Sequence, residues 1–227
     1  MERVAATPML TDSVYRNLSA AIADLTLRPG QRIRQDELAA SLGVSRQPVS
    51  HALQLLKQQG LVRETGRKGL VVTPIEPDRI RHLYEVRASI DALAARLAAS
   101  RVADGDMLAA EQEALRRSAE AGARFGEGAA LSMLVEADVT FHQAIYGLSG
   151  NPVVLELLAP QWSHLRRSMV AVLEVSGYRR RAWDEHGQIA RLILAGDADG
   201  AAAAAHHHCE EAGRETGARL QDRDTGG

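Results

Sequence analysis

The stretch from residue 38 to 62, LAASLGVSRQPVSHALQLLKQQGLV, narrows the fold more than any other part of the chain. Leu38, Ala39 and Leu42 give one short helix an apolar stripe. Gly43 supplies the tight turn needed where two helices meet at a steep angle. Ser45 stands where an N-cap belongs, with a hydroxyl able to accept from an orphan N–H of the next helix. That helix carries Val49, Ala52, Leu53 and Leu56 at spacings of three and four, which turns Arg46, Gln47, Ser50 and His51 outward. Arg and Gln at the start of an exposed helix can pair with guanine and adenine edges in a major groove. A helical hairpin with an ordinary polar face shares this periodicity, so the flanking residues must decide.

They do. Gly60 closes the helix, and Leu61 to Thr65 reads as a short strand. Gly66-Arg67-Lys68-Gly69 makes a turn with two cations at its tip, and Leu70 to Thr73 returns as a second strand. A hairpin after such a helix is a wing, and cations at its tip suit phosphate or minor-groove contact. Upstream, Val14, Leu18, Ile22 and Leu25 define an amphipathic helix, followed by a turn at Arg28-Pro29-Gly30. Residues 1–75 are therefore expected to form a winged helix-turn-helix that contacts double-stranded DNA. Charge agrees in sign: residues 1–76 hold 10 Lys and Arg against 7 Asp and Glu, net +3, while the remainder is −5. A unit at only +3 grips DNA weakly alone, so a homodimer is expected.

The 227 residues suffice for two domains, and 45% hydrophobic content allows each a core. No run of about 18 apolar residues is present and the N-terminus lacks a secretory pattern, which predicts a cytoplasmic protein without membrane contact. The lone Cys209 precludes an internal disulfide.

Pro74-Ile75-Glu76-Pro77 marks the domain boundary, with 76–79 expected as linker. Helices are then expected at 78–101, 106–122, 129–148, 153–175, 178–195 and 197–220. Glycine-rich or proline-containing turns separate them, and no strand pattern intervenes. Short connections mean antiparallel neighbours, so residues 80–221 are predicted as an all-α antiparallel bundle and 222–227 as a disordered tail. The chain as a whole is mostly α.

Polar residues fall where the bundle should be buried. Asp138 and His142 are four apart on one helical face, flanked by Leu134, Val135, Phe141 and Ile145. His186 shares a face with Ile189 and Ile193, and His208 lies in the last helix. At about 1.5 Å per residue, His186 is about 15 Å before Gly196 and His208 about 18 Å after it, which puts them level in a hairpin. Three histidines and one carboxylate converging on a divalent metal would suit zinc, nickel, manganese or iron. Spacing alone favours the plainer alternative of a surface i,i+4 pair and a solvated cluster at His206-His207-His208. His164, about 21 Å past Gly150 against about 18 Å for Asp138, is a rival donor. Cys209 should point away.

Taken together, these motifs resemble the GntR family of bacterial transcription regulators, in the FadR-type subfamily with a C-terminal FCD domain. The likeness rests on the helix-turn-helix core within residues 14–73, on Val86-Arg87 and Ile90-Asp91, and on Asp138-Val139-Thr140-Phe141-His142. It extends through Ser149-Gly150-Asn151-Pro152, Glu185-His186, and Gly196-Asp197 with His208 eleven residues after that Asp. The resemblance implies a dimer on a palindromic operator whose DNA affinity changes when a small carboxylate enters the bundle. It also implies Asp138, His142, His186 and His208 as metal ligands, zinc first, and Arg87 as the arginine facing the effector. A guanidinium can hold a carboxylate bidentately, although Arg87 can equally pair with Asp91 on its own helix.

The chain departs from the family pattern in three places. Ser50-His51 stands where V-S-R-x-P-V-R-E-A-L usually has Arg-Glu, and position 36 is Asp where some members have a DNA-contacting Arg. Arg34, Gln47 and His51 are then expected to share the work with Ser45, Arg46, Ser50, Gly66, Arg67 and Lys68. Before the last histidine stand five alanines and two extra histidines, which leaves the ligand among 206–208 open. Two other functions compete. One is a regulator with a metal-free bundle that binds a bulkier acyl or apolar effector. The other, remote, is a metallohydrolase fused to a DNA-binding module, for which no HExxH unit is present.

Overall fold

The computed structural model describes residues 8–66, 69–121, 124–125, 129–172 and 176–225. The chain divides into two compact units, Met1–Ile75 and Glu76–Gly227.

The first unit runs α1 (Pro8–Ala23), β1 (Arg32–Ile33), α2 (Gln35–Leu42), α3 (Arg46–Gln58), β2 (Val62–Thr65) and β3 (Gly69–Val72). Apolar residues at helical spacing on α1 (Val14, Leu18, Ile22) meet Val49, Ala52, Leu53 and Leu56 of α3, and Leu61, Val62 and Val72 close the cluster. The strands form an antiparallel sheet in the order β1-β3-β2, with Val62 opposite Val72 and Thr65 opposite Gly69. Gly43 ends α2 at φ 65°, the left-handed conformation that the steep helix-to-helix turn demands.

Three local expectations need correction. Leu25 is not on α1: the helix stops at Ala23 and Leu25 adopts φ 64°. Asp24 Oδ1 accepts the Thr26 N–H at 2.9 Å, which offers the backbone an alternative to a further helical turn. Ser45 occupies the N-cap position, but its hydroxyl makes no cap bond. The third helical residue is Pro48, which has no N–H to give it. The two-residue strand β1, pairing Arg32 with Val71 and Ile33 with Leu70, was not expected at all.

The second unit is helical throughout its described residues: α4 (Pro77–Ala103), α5 (Ala109–Ala121), α6 (Leu131–Leu148), α7 (Pro152–Leu158), α8 (Trp162–Val172), α9 (Ser176–Leu194) and α10 (Ala198–Thr225). The expected 76–79 linker is already helix from Pro77, because proline at the first helical position has a preset φ and needs no donor there. The single helix expected at 153–175 is two. Pro160 lies in a 3-10 turn, Ala159–Gln161, between α7 and α8, and residues 173–175 lie outside the described set. The tail expected at 222–227 is helical as far as Thr225, since no Gly or Pro lies between Gly217 and Gly226.

α4 and α10 form the spine and run antiparallel: Cys209 meets the Tyr84 carbonyl, Arg96 pairs with Asp199, and Gly196 faces Ala103. Small residues make this possible. Ala94, Ala95, Ala98 and Ala99 are buried on α4, as are Ala201, Ala202, Ala205 and Ala212 on α10. At Gly213 a Cβ would stand only 2.5 Å from Tyr84 Cβ, so only glycine permits the approach there. No helix among the described residues is long and apolar enough to cross a membrane.

Candidate functional site

Three helices of the second unit bring four donors together. Asp138 and His142 lie one turn apart on α6, His186 comes from α9, and His208 from α10. One ligand-capable atom from each lies within 4.8 Å of every other. Nε2 of His186 is 3.1 Å from Nε2 of His208 and 3.6 Å from Asp138 Oδ1. The three histidines are buried and Asp138 is half-buried. His186 is held by aromatic packing: its ring stacks on Phe141 with centroids 4.1 Å apart and meets Trp183 edge-on at 4.7 Å.

The electrostatics favour neutral imidazoles at His186 and His142. Burial foremost, then the neighbouring His208 and His142, pushes His186 well below the ordinary histidine range. Burial and then Arg87 lower His142, against the opposing pull of Asp91. Nε2 of His142 and Oδ2 of Asp138 are buried atoms without a hydrogen-bond partner, a costly arrangement for groups that would otherwise be hydrated. Three imidazole nitrogens and one carboxylate are the donor set of a zinc, nickel, manganese or iron site. The residues present fit such an ion.

Beside them, Arg87 and Asp91 lie one turn apart on α4, both buried, with Arg87 Nε 3.4 Å from Asp91 Oδ2. Burial alone would weaken both charges. Arg87 and then His142 hold the Asp91 carboxyl below its usual range, and Asp91 in turn keeps the guanidinium charged. Tyr146, four residues beyond His142, donates its hydroxyl to Asp91 Oδ1. The guanidinium lies over the Trp162 ring at 5.0 Å and the Tyr84 ring at 5.5 Å. Arg87 is thus both paired with Asp91 and part of the wall of a cavity of about 40 Å³, which Asp138, His142, His208 and Trp183 also line. Its Nη2 has no hydrogen-bond partner.

The remaining candidates sit elsewhere. His164 is buried against Arg167, its Nδ1 3.1 Å from Arg167 Nη2, and is not in the four-donor group. His206 pairs with Glu210 at the surface and His207 is exposed. Cys209 is buried toward Tyr84. Sequence reasoning gave no role to Tyr146, Glu185 or Trp162. Tyr146 was findable, because it shares a helical face with His142.

In the first unit, Arg46, Gln47 and His51 are exposed at the start of α3 and Ser50 is half-buried. Ser45, Arg34 and Gly66 are also exposed, whereas Arg67 and Lys68 lie outside the described residues. Arg46 Nε is 2.8 Å from Asp36 Oδ1, and Arg34 Nη1 is 2.7 Å from Glu37 Oε1. Both ion pairs set an acid of α2 beside an arginine expected to contact DNA, and neither was anticipated.

Comparison with known proteins yields two profile matches: "Bacterial regulatory proteins, gntR family" over residues 10–72 and "FCD domain" over residues 82–211. Among curated relatives, the Nta operon transcriptional regulator of Aminobacter aminovorans is 34% identical over 57% of this chain and 59% of its own length. The chain spans about three fifths of the length of several of the curated relatives it matches. A probable D-xylose utilization operon transcriptional repressor of Paenarthrobacter nicotinovorans is 27% identical over 82% of this chain and 80% of that protein. Among solved structures, a putative GntR transcriptional regulator from Rhodococcus sp. RHA1 superposes with a TM-score of 0.72 at 26% identity. That match covers 91% of this chain and 96% of the other.

Proposed function

The chain belongs to the gntR family of bacterial regulatory proteins and carries an FCD domain, and on that premise we propose that it is a DNA-binding transcription regulator, a repressor, acting in the cytoplasm. Its affinity for a palindromic operator is set by a small carboxylate bound in the second unit at a metal centre. The family is one of regulators, so the metallohydrolase alternative falls away.

One observation carries the effector half of this reading: four donor atoms from three helices lie within 4.8 Å of one another, three of the residues having a buried atom without a hydrogen-bond partner. Asp138, His142, His186 and His208 would hold the ion, which when bound supplies Lewis-acid affinity for a carboxylate oxygen. Arg87 supplies the fixed counter-charge, its guanidinium steadied by Asp91 and the two rings so that little rotamer freedom is lost on binding. Cavity size supports a small ligand over an acyl chain: a single water needs about 10–15 Å³, and the whole cavity is about 40 Å³.

On the DNA side, Arg46 and Gln47 read base edges and Ser45, Ser50, His51 and Arg34 serve the backbone or neighbouring bases, with Gly66, Arg67 and Lys68 on the wing. The homodimer is supported by an apolar groove on the outer face of the second unit. Leu83, Val86, Ile90 and Leu157 line it, with Val86 58% and Leu157 60% exposed. A second copy is the occupant that a two-fold operator requires.

The test is a thermal-shift screen of small carboxylates on untagged protein, with zinc and with chelator, followed by gel shifts on a duplex selected by the protein. Zinc at about 100 times its Kd should add about 2.7 kcal/mol of stability, and His142→Ala should abolish this gain. A carboxylate should stabilise only the zinc-loaded protein and alter DNA affinity, commonly by about 1–3 kcal/mol. Stability indifferent to chelation would refute the metal centre, and constant DNA affinity at saturating carboxylate would refute the coupling.

A further inference from the structure

The Glu185-His186 pair contains one residue that the proposed centre uses and one that it does not. His186 faces Asp138 and His208, whereas Glu185, about 100° further round α9, reaches across to α10. There its Oε2 is 2.7 Å from Nδ1 of His208. Its other oxygen, Oε1, lies 3.5 Å from Arg181. A carboxylate accepts only, so the proton between Glu185 and His208 is an Nδ1–H of the imidazole. A neutral ring protonated at Nδ1 has its lone pair at Nε2, and that is the atom 3.1 Å from Nε2 of His186.

A second carboxylate stands beside the Nδ1 of His142 on α6, close but without an aligned hydrogen bond. Asp91 Oδ2 is 3.1 Å from Nδ1 of His142, while His142 Nε2 is the buried atom without a partner. Asp91 Oδ2 has no well-aligned hydrogen bond, so it acts there through its charge beside Nδ1. Tyr146 fixes the carboxylate through its other oxygen. His186 has no such partner: its Nδ1 is buried and unbonded, and aromatic stacking orients its ring.

We infer that Glu185 and Asp91 are the positioning residues of the centre, each holding one imidazole in the tautomer that presents Nε2 to the other donors. The inference rests on the metal reading and deepens it. A carboxylate outside the donors both locks ring orientation and raises ligand basicity, and losing one typically weakens metal binding about 10- to 100-fold. It also explains the adjacency in the sequence. Glu185 and His186 together tie α9 to α10 twice, once through a donor and once through the group that aims the facing donor.

The test measures zinc affinity of the full chain by competition with a chromophoric chelator, and histidine tautomers of the chelator-treated protein by ¹⁵N NMR on histidine-labelled samples. Glu185→Ala should bind zinc about 10- to 100-fold more weakly. Glu185→Gln, whose carbonyl still accepts, should recover part of the loss, and Arg181→Ala should change nothing. His208 and His142 of the wild type should carry Nδ1–H. Wild-type affinity in Glu185→Ala overturns the inference, as does an Nε2–H tautomer at His208 in the wild type. An Nε2–H tautomer at His142 in the wild type would overturn the role of Asp91. No zinc uptake by the wild type would instead overturn the metal centre itself, and this inference with it.

Discussion

Metal-free protein should lose stability steeply as pH falls below about 6.5, and the steepness counts its buried neutral imidazoles. Burial chiefly depresses both His142 and His186, the latter further through His208 and His142. In the unfolded chain each titrates near 6.5. Below that value and above the folded values, the unfolded state holds more protons than the folded one, so acid favours unfolding. Each imidazole contributes a slope of about 1.4 kcal/mol per pH unit, and the pair about 2.7 kcal/mol per unit. Against a typical total of about 5–15 kcal/mol, each pH unit spent between the unfolded and folded values removes a sizeable share. Asp91 acts in a separate window: Arg87 holds its carboxyl below the usual range, so its contribution is lost only below about pH 4. The assay is urea denaturation of chelator-treated protein at one concentration, at about pH 7.5, 6.5 and 5.5. His186→Gln should remove about half the slope. Stability that stays within about 0.5 kcal/mol across this range would mean that the imidazoles are solvated, and the reasoning would fail.

Two further outcomes follow from the packing and the helix-turn-helix. Arg46→Ala should weaken binding to a duplex selected by the wild type by about 1–3 kcal/mol, with an unchanged melting temperature because Arg46 is exposed; fluorescence anisotropy giving equal affinity would remove Arg46 from the base-reading set. Gly217→Ala, where a Cβ meets nothing within 4 Å, should stabilise α10 by up to about 1 kcal/mol. Gly213→Ala gains the same helix preference but forces apart α4 and α10, a penalty of about 1–3 kcal/mol. Equal stability of the two variants in urea would show that the spine is looser than described.

What the sequence revealed was mostly local. Val49, Ala52, Leu53 and Leu56 repeat at helical spacing, and Gly43 supplies a turn that few other residues permit, so the helix-turn-helix is written in adjacent residues. Strand β1 is not, because two residues have no periodicity and exist as a strand only by pairing with β3, nearly forty positions away. Pro160 carried a legible signal, a missing N–H, that an otherwise apolar run obscured. The level meeting of His186 and His208 followed from helical rise alone and agrees with their 3.1 Å separation. The roles of Glu185 and Asp91 did not follow, because which side of a ring faces a carboxylate depends on how closely two helices approach. The approach of α10 to α4 is likewise set by residues with no chemistry of their own, the alanines and Gly213.

The acids that α2 brings against Arg46 and Arg34 act as built-in counterions. Binding to DNA is driven largely by release of the salt cations condensed along it. A carboxylate carried up to the phosphates retains some of those cations, so the slope of log K against log salt should follow net charge rather than the number of arginines. On the proposed DNA-binding reading, nonspecific grip should then be weaker than the count of arginines suggests, and residence should depend on base edges that draw Arg46 and Arg34 away from their acids.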